Sequence, residues 1–137
     1  MRRKLFSALF LVTALSIALG AFGHGHQWSK HVLPVVAGLD PGMIRLLALV
    51  WFWVSATMLV FGFLLVWTWW RIGRGERDLL VVPWTVGAMY FTEGLYGALH
   101  LGAFFLLFVL QAVLLCGSAW ALRGAATVET PGQVSAH

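Results

Sequence analysis

From Leu79 to Leu122 the chain carries one charged side chain, Glu93, and one histidine, His100. A single helix of that length would reach about 66 Å, twice the roughly 30 Å hydrocarbon core of a bilayer. The backbone therefore has to turn back on itself. The stretch that relaxes a helix is EGLYGALHLG, where Gly94, Gly97 and Gly102 weaken helical order and Glu93 and His100 seek water or a partner. A tight hairpin there gives a third span near 79–95 and a fourth near 101–122.

Two further apolar runs precede it. Leu5 to Phe22 is just long enough to cross the hydrocarbon core, and Met43 to Trp70 exceeds the minimum, so tilt or protrusion is expected. Trp51 and Trp53 near one end of the second run, with Trp67, Trp69 and Trp70 near the other, resemble interfacial aromatic belts. With 61% apolar and 10% charged residues, this chain cannot hide its apolar surface in a water-soluble fold of its size. The expectation is an all-α, up-down four-helix transmembrane bundle over residues 1–123 (spans about 5–22, 43–70, 79–95 and 101–122), of a small bacterial type. Residues 124–137, small and polar, are expected to form a disordered tail.

Charge sets the direction. Arg2, Arg3, Lys4, Arg71, Arg74, Arg77 and Arg123 fall at one end of the spans, and only Lys30 and Arg45 at the other. The positive-inside bias places both termini in the cytoplasm of a multi-pass protein of the inner (plasma) membrane, with the histidine-rich connection on the outer face. Basic residues scattered at span edges do not form the patch a nucleic acid would need, so none is expected as a partner. The partners implied are the bilayer and other membrane chains or self-association.

The first run also has a signal-peptide look, with a basic start and the small-residue end ALGAFG. It is either cleaved or retained. Retention keeps an even number of spans; cleavage after Gly23 would leave His24-Gly25-His26 at a new amino end, donors suited to Cu(II) or Ni(II). From Gly23 to Gly42, Pro34, Gly38, Asp40, Pro41 and Gly42 punctuate a polar outer connection. Within it WSKHVLPVV fits a short interfacial amphipathic piece, and Asp40-Pro41-Gly42 a turn or cap opening the next helix.

An up-down bundle brings both outer connections to one end. His24, His26, His31, Asp40, Glu93 and His100 then share a face. Imidazoles with a carboxylate are donors for Zn, Cu, Ni or non-haem Fe, each needing about three or four ligands. His24, His26, His31, Glu93 and His100 are the candidate metal set; haem is the other cofactor weighed. The plain alternative is that the histidines are interfacial side chains with their polar tips in water, and that Glu93 is solvated in its hairpin. No HExxH spacing supports a specific metal site.

Other features point to packing. Ser55, Thr57, Thr68, Thr85, Thr92, Gln111 and Ser118 punctuate the spans and suit hydrogen bonds between helices. Cys116 is the single cysteine, which rules out an intrachain disulfide, and its apolar surroundings suit an inert thiol. The Trp and Phe content would line a haem, quinone or carotenoid pocket, though belts and core packing use the same residues. No catalytic residue is assigned. Three functions are therefore expected to compete: an accessory or partner-binding membrane subunit, a metal- or haem-binding protein acting at the outer face in uptake, sensing or electron transfer, and an oligomeric transporter using Glu93.

Overall fold

The computed structural model describes residues 1–76 and 78–124, all-helical apart from short connections. Helix α1 (Arg2–Gln27) runs into a π-helical turn (Trp28–Val32) and a last helical turn (Leu33–Val36). Then come α2 (Pro41–Gly73), a 3-10 turn (Asp78–Leu80), α3 (Val81–His100), a second 3-10 turn (Ala103–Phe105) and α4 (Leu106–Gly124). Three of these segments, Arg2–Val36, Pro41–Gly73 and Ala103–Arg123, are long and apolar enough to cross a membrane. Helix α3 spans 20 residues but is more polar, with Thr85, Tyr90, Thr92 and Glu93 along it.

The helices form two antiparallel hairpins. In the first, the Trp69 indole donates to Ser7 Oγ at 2.8 Å near one end and His24 meets Ser55 near the other. Between them Gly62 lies against the backbone of Ala18, so closely that a Cβ would have no room. In the second, Gly87 faces Cys116, Gly94 faces Phe108 and Val109, and Gly97 faces Phe105. Small residues let helices approach where lipid offers no hydrophobic drive for association. The hairpins join mainly through α1 and α4, where Gln111 Nε2 donates to Ser16 Oγ at 3.0 Å, while α2 and α3 touch over only a short stretch.

The core sits in the half of the bundle that holds the chain start and the α2–α3 connection. Phe10, Ala14, Ile17, Leu65 and Leu115 are fully buried there, with Ile72, Val86, Ala119 and Leu122 around them. Arg71 pairs with Glu76 in that connection, and Gly75 takes φ +93°, a left-handed conformation that glycine tolerates.

Three expectations are corrected. The Gly23–Gly42 segment is not a loop, because the helix continues to Val36. Proline at position 34 has no amide to donate, and its ring crowds the carbonyl one turn back; the wider π turn immediately before it absorbs that conflict. Second, α3 ends at His100 rather than near 95. Gly94 and Gly97 do not break the helix but pack it against α4, and the reversal falls at Leu101–Gly102, where Gly102 has φ +134°. Glu93 is consequently not in the hairpin turn. It lies inside α3, eight residues before Leu101 and so about 12 Å from the turn. Third, α4 begins at Leu106 after its 3-10 lead-in.

The Asp40 cap is present: its Oδ1 accepts from the Gly42 and Met43 amides at 2.8 and 3.3 Å, with Pro41 in the first turn. Arg77, counted in the charge bias, and the tail beyond Gly124 lie outside the described residues.

The glycine contacts make a direct prediction. Gly62→Ala should lower the thermal stability of the detergent-purified protein by about 1–3 kcal/mol, because the new methyl overlaps the Ala18 backbone. Gly117→Ala, which meets open space, should leave the melting temperature unchanged or slightly raised.

Candidate functional site

Away from the core, where α2 and α3 diverge, the bundle opens into a cleft built around His24. His24 and Trp28 sit one helical turn apart on α1, as Trp51 and Ser55 do on α2. The His24 ring stacks on Trp51 with centroids 4.2 Å apart and planes 14° apart. Its Nδ1 lies 2.9 Å from Ser55 Oγ, and the Trp51 indole N–H donates to the His24 carbonyl at 2.8 Å. Trp28, buried, packs against Trp51 and Phe52 with ring centroids 6.2 Å away in each case. His24 is thus the clasp of the first hairpin, with one ring nitrogen already engaged.

From the other hairpin, α3 turns Tyr90 and Glu93 toward the same space, three residues apart and on one helical face. The 3-10 turn and the start of α4 bring Phe104, Phe105 and Phe108, which pack in mutual stacked and edge contacts 5.7–6.2 Å between centroids. The chamber they enclose with His24, Gln27, Trp51, Val54 and Met58 is about 310 Å³. It adjoins a larger groove of about 640 Å³ between α1 and α4, with His24, Gln27, Met58, Phe104 and Phe108 lining both. The groove is mainly apolar, with Thr13, Ser16 and Gln111 along its floor.

Two polar groups at the chamber have no partner. Tyr90 is 3% exposed, yet its hydroxyl makes no hydrogen bond among the described residues. The ion pair between Arg71 and Glu76 is the one found there, so Glu93 pairs with no cation among them. A buried hydroxyl left without a partner costs about 1–3 kcal/mol.

Of the five candidate metal ligands, the structure brings His24 and Glu93 to one chamber and leaves the other three apart. His26 is exposed, with its carbonyl accepting from Ser29 Oγ at 3.2 Å. His31 is exposed in the π turn, beyond the chamber. His100 is exposed at the end of α3 with its ring 4.5 Å from that of Tyr96. Among the described residues no group of three or more His, Cys, Asp or Glu is arranged to hold a metal ion. The set fails to gather because the helical continuation to Val36 carries His31 and Asp40 away from α3, while a loop would have folded back over it.

Tyr90, Gln27 and Trp51 are site residues that sequence reasoning missed. Tyr90 carried a usable signal, since a residue three before Glu93 shares its helical face. Of the punctuating polar residues, Ser55 and Gln111 do bond between helices, but Thr57, Thr85 and Thr92 donate to carbonyls four residues back on their own helices. Comparison with protein-family models, with curated proteins and with solved structures finds no match.

The clasp separates the histidines energetically. His24→Ala removes a hydrogen bond and a stacked ring pair and should destabilise the purified protein by about 1–3 kcal/mol. His26→Ala and His31→Ala, both at exposed positions, should stay within about 0.5 kcal/mol of the parent in the same melts.

Proposed function

We propose that the chain is a four-span integral membrane protein whose two hairpins bind a small amphiphilic molecule in the cleft between them. The observation that carries this reading is a pair of adjoining, mainly apolar cavities with a few polar side chains on their walls, His24, Gln27 and Glu93 at the chamber and Thr13, Ser16 and Gln111 at the groove, the make-up of a small-molecule site. Helix α3 serves as the fourth span: about 30 Å long, it is shielded by α4 through its glycine face. Helix α1 is retained, because it supplies Phe10, Ala14 and Ile17 to the core. Arg2, Arg3, Lys4, Arg71, Arg74 and Arg123 lie at the core end of the bundle, and Lys30 and Arg45 at the cleft end. The cleft therefore opens toward the outer face of the plasma membrane.

A second reading, an accessory subunit packing against other membrane chains, draws on the far end of the first hairpin. There Val35, Leu39, Met43, Leu46 and Leu49 are all substantially exposed.

Topology is checked by cysteine labelling in a Cys116→Ser background. A membrane-impermeant maleimide added to intact cells should modify Lys30→Cys and not Arg74→Cys; the opposite pattern inverts the protein.

Binding is checked with a long-chain alcohol bearing a photoreactive diazirine, applied to purified protein in lipid nanodiscs. Label should concentrate on Met58, Leu107 and Phe108 and fall in Gly23→Leu, which adds bulk at the groove wall where a Cβ meets open space. Even labelling of these residues and of outward-facing Leu19 and Phe63 would remove the cleft reading. The same probe in native membranes tests the second reading: Leu46 and Leu49 stay unlabelled where a partner covers them, and labelling equal to that in nanodiscs excludes such a partner.

A further inference from the structure

We infer that the chamber selects an organic cation with an apolar body, a lipophilic ammonium or phosphonium ion. The inference rests on the cleft being a binding site and adds the class of ligand. Its basis is the company Glu93 keeps. The carboxylate lies about 12 Å inside α3 from its turn, where an unpaired negative charge is costly, and among the described residues no Lys or Arg neutralises it. The walls beside it are rings: Trp51, Tyr90, Phe104, Phe105 and Phe108 all line the same chamber.

Aromatic faces carry negative potential, so a carboxylate among rings attracts a cation that can shed its water. Lipophilic cations do so at small cost because their charge is dispersed over an apolar surface. An anionic amphiphile would meet Glu93 unfavourably. A neutral one would leave the carboxylate uncompensated. Tyr90 contributes to the same chamber wall and packs against Phe108 with ring centroids 5.6 Å apart, which extends the aromatic lining beside Glu93. The adjoining groove of about 640 Å³ gives the apolar body somewhere to lie.

The test uses the full chain in detergent or nanodiscs and tetraphenylphosphonium as probe, with binding followed by equilibrium dialysis. Saturable binding near one ion per chain is expected, weakened by about tenfold or more in Glu93→Gln. A smaller loss, several-fold, is expected in Phe108→Ala. Triphenylphosphine oxide, a neutral analogue, should compete poorly. Glu93 is exposed and makes no hydrogen bond among the described residues, so Glu93→Gln should fold, which a thermal melt verifies.

Tetraphenylphosphonium binding unchanged by Glu93→Gln would overturn the assignment, as would binding no tighter than that of the neutral analogue. If the diazirine alcohol labels the cleft but tetraphenylphosphonium neither binds nor displaces it, the ligand class is wrong and the cleft reading stands. If neither probe finds the cleft, both fail.

Discussion

Close approach of backbones at small residues is the constraint on which this structure depends. In hydrocarbon, burying a leucine against another leucine gains little over burying it against lipid, so helices hold together by fitting closely and by hydrogen bonding across the fit. Gly62 on Ala18 sets the distance within the first hairpin, and Gly87, Gly94 and Gly97 set it within the second. Between the hairpins the glue is different: Gln111 to Ser16, and the mainly aliphatic core from Phe10 to Leu122. Because that core fills one half of the bundle, the other half is left open where α2 and α3 diverge. The cleft follows from where close packing stops.

The clasp at His24 makes this opening a defined shape. Stacking on Trp51, bonding to Ser55 and accepting the Trp51 indole proton on its carbonyl, it ties the first hairpin at the level of the chamber. The chamber thus has one wall fixed by polar contacts and another, around Phe104, Phe105 and Phe108, fixed by aromatic packing. Glu93 and Tyr90 also line the chamber, Glu93 without a cation and the buried Tyr90 hydroxyl without a hydrogen bond among the described residues.

Much of the architecture could be read from residue order. Apolar run length marked the helices, Asp40-Pro41-Gly42 marked a capped start, and the limit on helix length required a reversal between residues 79 and 122, which falls at Gly102. Glycine misled where its role was packing: Gly94 and Gly97 carry the same local cue as a turn, and only the facing Val109 and Phe105 decide between the two. Pro34 and Gly38 misled likewise, because a π turn can absorb a proline that would otherwise end the helix. The site was half legible. Pairing Glu93 with His24 follows from up-down topology, but His26, His31 and His100 needed a loop that the chain does not form.

The two hairpins differ in reach. The segments Arg2–Val36 and Pro41–Gly73 hold 35 and 33 residues, about 50 Å each, against about 30 Å for α3. A bilayer matched to the shorter pair leaves several turns of the longer pair among the headgroups, apolar side chains included, whereas a thicker bilayer shelters those turns and stretches past the shorter pair. Each ångström of misfit carries a fraction of a kcal/mol. The two hairpins therefore give the bundle a stepped profile, the longer pair reaching several turns past the shorter one.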